Sequence, residues 1–211
     1  ELIMHETCTR DAKTAVRVLQ KRRLGVHFIV DADGTVTQHA DPAKVRLEHG
    51  APHNVHSVGI VLVNPVEVQY IRPGLPWDSS IRAPWANGRE YVLPTWAQAE
   101  SAAHLIAWLT SSEEHGLQIP RTWMNIRDGH FVMGRIPGAE AAKPGIYAHS
   151  LYRHNDGAWP LLYAFLRLEL QLSMDCAYSM AVVLGQQAKP EIRALRRAAV
   201  SAAPSPSPAQ V

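Results

Sequence analysis

Cysteine is nearly absent from this chain: Cys8 and Cys176 are the two among 211 residues. They make no CxxC and no zinc-finger spacing, so neither a thiolate zinc finger nor a disulfide framework is written in. A single disulfide between them has no support, and two free, buried thiols are expected. Long apolar runs are missing too. None approaches the ~20 residues needed to cross a bilayer, and no signal peptide is visible. The chain enters an apolar stretch (Leu2, Ile3, Met4) directly after Glu1. That reads as a trimmed or processed start, so the missing signal does not argue for the cytosol. An excess of one charge is also lacking. The net charge of +2 gives no strong electrostatic pull toward nucleic acid or a membrane surface. There is no internal repeat.

What is present is an ordinary globular balance, with 46% apolar and 19% charged residues, enough to bury a core without covalent staples. Histidine stands out, with 11 copies. It is the commonest metal ligand, so the excess points to a metal site without locating it.

Strand and helix signals alternate, as in an α/β domain. Residues 2–4 form a short buried strand ending at His5. Thr9 or Asp11 caps a helix over 11–23 with Ala15, Val16 and Leu19 on its apolar stripe. Val26–Val30 and Thr35–Gln38 are strands joined by the Asp31-Ala32-Asp33-Gly34 turn. A short helix is expected over 42–47, and an apolar strand, covered on both faces, over 57–63. Residues 64–94 carry five prolines with Trp77 and Trp85, and read as a long ordered flap or insertion without regular elements. Thr95–Ser111 is a helix, Trp123–Ile126 and His130–Met133 are strand candidates, and helices are expected over 160–172, 176–184 and 190–199. One domain therefore spans 1–200, and the Ala/Ser/Pro/Gln-rich 201–211 is a disordered tail.

Metal-assisted hydrolysis needs three protein ligands and an open position for water. Two clusters have the residue types. One is His49-x3-His53-x2-His56. The other is His149-x4-His154-x-Asp156. Neither spacing is diagnostic.

Four blocks, in order, carry a resemblance. They are Ile3-Met4-His5-Glu6-Thr7; Gly25-Val26-His27-Phe28-Ile29-Val30-Asp31 with Asp33-Gly34-Thr35-Val36; His49-Gly50-Ala51 with Asn54 and Ser57-Val58-Gly59-Ile60; and Gly145-Ile146-Tyr147-Ala148-His149 with Asp156 and Trp159-Pro160. Together they resemble the zinc-dependent N-acetylmuramoyl-L-alanine amidases, which include phage lysozyme-type amidases and the related peptidoglycan-recognition proteins. The middle third of the chain is not matched. The resemblance implies a central mixed β-sheet flanked by helices, with the 64–94 segment as a Pro/Trp-rich insertion. It implies a Zn²⁺ held by His5, His149 and Asp156, and a peptidoglycan or muropeptide partner. A periplasmic or extracellular setting follows from that substrate.

The remaining roles come by the same route. His154 stands where relatives place an oxyanion-stabilising lysine, and a protonated histidine can do that job; alternatively, His154 is itself a ligand. His49 orients substrate or donates a hydrogen bond. Asn54 is grouped with the substrate-binding residues, pinning its loop through backbone bonds. Trp77 and Trp85, with Tyr91, form a lip that stacks on sugar or stem peptide, or else close the insertion onto the core.

The pattern breaks at the general base. Relatives carry a Tyr before the His-Phe-Ile strand or a Glu after the Ser-Ile-Gly-Ile strand, and here those positions are Val26 and Val61. A base contributes roughly 10²–10⁴ in rate. Glu48 or His49 is the substitute within reach in sequence. Two functions follow: a divergent amidase, or a module that binds muropeptide without cutting it. An unrelated zinc protein using His49, His53 and His56 is a third class.

Overall fold

The computed structural model describes residues 1–86, 89–111 and 117–202. Its centre is a five-stranded mixed sheet, built from β1 (Leu2–Cys8), β2 (Phe28–Val30), β3 (Val36–Gln38), β4 (Val58–Asn64) and β9 (Ile146–Ala148) in the order β3-β2-β4-β1-β9. β1, β2, β4 and β9 run parallel, and β3 returns antiparallel along one edge. All seven residues of β4 are buried, as parallel strands sandwiched on both faces require. Its side chains alternate between two cores. Ile60 and Leu62 join the larger one, whereas Val61 and Val63 join a smaller one with Ala15, Val26, Ile29, Trp77 and Val92.

The helices cover these faces. α1 (Ala12–Lys21) is capped by Asp11, whose carboxylate accepts from Thr14 N at 2.6 Å. α2 (Trp96–Leu109) opens with a capping box between Thr95 and Gln98. The buried Gln98 also donates to the carbonyl of Val63 at 2.6 Å and accepts from the Trp77 indole at 3.1 Å. α3 (Ala158–Leu168) is buried along nearly its whole length. It is tied to α2 by Arg167, which grips the Glu100 carboxylate through Nε at 2.9 Å and Nη2 at 2.7 Å. α4 (Met174–Leu184) and α5 (Ile192–Ala202) follow. Among the described residues, no helix is long and apolar enough to cross a membrane.

Several expectations need correction. Residues 42–44 make a turn and 45–47 are irregular, in place of a helix. Asp41 caps a single turn through its side chain, and residues 43–46 are exposed, so there is no apolar face to extend it. The 64–94 segment is not devoid of regular structure. β5 (Ser80–Ala83) and β6 (Arg89–Val92) pair antiparallel within it, lying between the prolines. The two strand candidates after α2 shrink to β7 (Ile126–Arg127) and β8 (His130–Phe131). Both cysteines are free, but Cys8 is exposed and Cys176 half-buried. The expected tail falls, from residue 203 onward, outside the described residues.

Candidate metal centre

The register of two parallel strands brings two histidines together. β1 and β9 pair up to Met4↔Ala148. The next residue in each segment is a histidine, His5 within β1 and His149 just after β9, and their ring centroids lie 4.4 Å apart. After His149 the chain makes a short turn and comes back, with Ser150 N donating to the carbonyl of Asp156 at 2.9 Å. The Asp156 carboxylate then sits 3.0 and 3.3 Å from His149 Nδ1. One ring nitrogen from each histidine and one carboxylate oxygen lie within 4.8 Å of one another. All three side chains are largely buried, Asp156 being the most accessible at 17%.

Burial, then the neighbouring His149, His49 and His154, holds the His5 pKa well below 6.5. Its ring is therefore neutral at neutral pH and keeps a lone pair for a metal. His149 Nε2 is buried without a hydrogen-bond partner. Two imidazoles and one carboxylate make the donor set of open catalytic zinc sites, so the residues present fit that ion.

Behind this cluster sits Glu6, which the sequence reading quoted only as part of a motif. Its carboxylate is buried, and it accepts from Tyr91 Oη at 2.5 Å, Asn64 Nδ2 at 2.8 Å and Gly157 N at 2.8 Å. Burial raises its pKa from 4.5 to about 7, against the opposing pull of these donors. Glu6 thus ties the residue after Asp156 to β1, to the end of β4 and to β6. A carboxylate in a buried strand, next to a candidate ligand, is the signal for it.

The other expected site residues divide. His154 is exposed and stacks edge-on against His149 with centroids 5.0 Å apart. Partial burial and His149 lower its pKa, so at neutral pH it is chiefly neutral, not the protonated donor expected. It can still donate through one N–H. His49 lies against His5, with Nδ1 3.1 Å from His5 Nε2. Asn54 pins the His49 loop, its Oδ1 accepting from His49 N at 2.9 Å and Gly50 N at 2.6 Å. Glu48 accepts from Asn54 Nδ2, so in place of a free base it is an anchor for that loop.

Trp77, Trp85 and Tyr91 do not form a lip. They are 2%, 6% and 0% exposed. The Trp85 indole donates to the carbonyl of Gly185 at 2.8 Å, so no ring face is left for a ligand. Val26 and Val61, each 3% exposed, belong to the smaller core. His49, His53 and His56 do not converge among the described residues. His53 is buried, and its nitrogens are taken by the Glu1 carboxylate at 2.9 Å and the Ala139 carbonyl at 3.0 Å.

A family model described as N-acetylmuramoyl-L-alanine amidase matches residues 1–157. Among solved structures, the chain is similar to the N-acetylmuramyl-L-alanine amidase AmiD from E. coli, in complex with anhydro-N-acetylmuramic acid-L-Ala-D-gamma-Glu-L-Lys. Identity is 16%, coverage 56% of this chain and 44% of that chain, and the TM-score 0.40. It is also similar to the N-acetylmuramoyl-L-alanine amidase LysC from Clostridium intestinale URNW, at 14% identity, coverage of 80% and 83%, and a TM-score of 0.45. The chain thus spans less than half the length of AmiD. No curated protein matches it.

Proposed function

The chain belongs to the N-acetylmuramoyl-L-alanine amidase family, and from that premise we propose that it hydrolyses the amide between N-acetylmuramic acid and L-alanine in peptidoglycan or muropeptides, using Zn²⁺. The observation that carries this reading is the convergence of His5, His149 and Asp156 within 4.8 Å, from the middle of β1, which runs on to Cys8 instead of ending at His5, and from a loop some 150 residues later. These three residues would hold the ion. When bound, zinc in such a site polarises a scissile carbonyl and lowers the pKa of a water to about 7.

The chain's own residues do the rest. Glu6 fixes Gly157 and so holds Asp156 in place. His154, exposed beside His149, is placed to donate a hydrogen bond to charge developing on the substrate oxygen. Glu48 is committed to Asn54 and is not assigned the general base. The stem peptide and sugar bind at the His5, His149 and Asp156 cluster, without the Trp77 and Trp85 side chains.

A second reading is favoured by one observation. Positions 26 and 61 hold buried valines, so no proton acceptor stands where the family places one, and a binding module would tolerate that. Metal analysis of the purified protein, paired with mass spectrometry of digested peptidoglycan, separates the two. Bound zinc with released stem peptides supports the amidase. Bound zinc and retention on cell wall without release supports the binder. His5→Ala is expected to lose both metal and release, and full zinc occupancy in that variant would defeat the ligand assignment.

A further inference from the structure

The His49 block contains more order than a loop beside a metal site needs. His49 Nε2 lies 3.4 Å from the backbone carbonyl of Ser57 and 3.2 Å from Ser57 Oγ. A carbonyl oxygen only accepts. The Ser57 hydroxyl donates its own proton to the carbonyl of His53 at 2.8 Å, so toward His49 it accepts as well. Both neighbours of Nε2 are acceptors, and Nε2 therefore carries the hydrogen. On its other side the ring faces His5, and no carboxylate hydrogen-bonds to it among the described residues, so the ring is neutral and Nδ1 has a free lone pair. That nitrogen is 3.1 Å from His5 Nε2, which must be the donor. A neutral His5 with its proton on Nε2 has its lone pair on Nδ1, and Nδ1 makes no hydrogen bond among the described residues.

We propose that His49 is a positioning residue that sets the tautomer of His5, so that the His5 Nδ1 lone pair is presented to the metal cluster and the Ser57 carbonyl fixes the polarity of the whole chain of hydrogen bonds. The proposal rests on His5 being a metal ligand. It accounts for the rest of the block. Asn54 and Glu48 hold the His49 backbone. Gly59 leaves room for the ring, because a Cβ there would lie 2.8–2.9 Å from three of its atoms. A second imidazole thus takes the place that a carboxylate or backbone carbonyl commonly fills behind a ligating histidine.

The test starts with the zinc-free parent protein. Long-range ¹H–¹⁵N spectra of its histidine rings are expected to show His5 protonated on Nε2, and protonation on Nδ1 overturns the proposal. Zinc affinity is then read by competition with a chelator. His49→Phe, which keeps a planar ring but no acceptor, is expected to bind about 10–100-fold more weakly and to lose the single His5 tautomer. His49→Gln, whose Oε1 accepts, recovers most of the affinity. Ser57→Ala keeps the backbone carbonyl and keeps the tautomer. Zinc retained by His5→Ala defeats the ligand reading, and the proposal with it. Zinc lost in His5→Ala but bound at parental affinity by His49→Phe defeats the relay alone.

Discussion

Replacing Gly157 by alanine tests how tightly the Asp156 loop is held against the sheet. Gly157 has φ +77°, a left-handed conformation that costs a residue with a Cβ roughly 1–2 kcal/mol. The added carbon would also sit 2.1 Å from the Met4 carbonyl oxygen and 2.8 Å from its carbon. That obstacle is the backbone of β1, paired on both sides by β4 and β9, so it cannot swing aside as a side chain would. Forced displacement in a packed interior adds about 1–3 kcal/mol, for a total of about 2–5 kcal/mol. Gly74 provides the control. Its φ is +83°, yet a Cβ there meets nothing within 4 Å. Gly74→Ala therefore bears only the conformational term, part of which is offset, by about 0.4–1 kcal/mol, through a stiffer unfolded chain. Urea unfolding of the zinc-free proteins is expected to show Gly157→Ala losing at least about 1 kcal/mol more than Gly74→Ala. Its zinc affinity should fall as well, because Asp156 precedes the displaced residue and the Gly157 N–H is pulled from Glu6. Equal losses in the two variants, or parental zinc binding in Gly157→Ala, would refute the reasoning.

The clamp between α2 and α3 carries a pH dependence. Hydrogen bonds from Arg167 chiefly hold the Glu100 pKa below 4.5. A carboxyl depressed in the folded state contributes stability that is fully present above its unfolded pKa and is lost as pH falls through the folded one. Glu100→Gln should flatten the acid limb of the stability curve below about pH 4.5, and an unchanged limb would reject the clamp. At neutral pH Arg167→Ala is expected to cost about 1.5–3 kcal/mol by urea unfolding, as for a hydrogen bond to a charged group. Trp85→Ala should destabilise by about 3–5 kcal/mol while leaving KM for a muropeptide unchanged. A raised KM with parental stability would restore the stacking lip.

Local pattern made much of the scaffold legible. The apolar run at 57–63 and the stripe at 95–111 correspond to β4 and α2, displaced by a residue or two. Of the two caps the sequence offered for the first helix, Thr9 and Asp11, the structure uses Asp11. Short elements were the failure. β9 has three residues, too few for any periodicity to mark it. The 42–47 segment has helix-compatible residues but nothing to bury them against.

By itself, the sequence singled out candidate metal ligands, through the order of motifs that resemble the family's, and marked the central strands as buried, through unbroken apolar runs. Those are properties of residue type and near neighbours. The tertiary structure decided what no local pattern encodes: that Met4 pairs with Ala148, setting His5 beside His149; that Glu6 reaches Gly157; that Trp77 and Trp85 point inward; and that His49 leans on His5. Each depends on hydrogen bonds or packing between segments far apart in the chain, whose register is fixed only when the whole core closes.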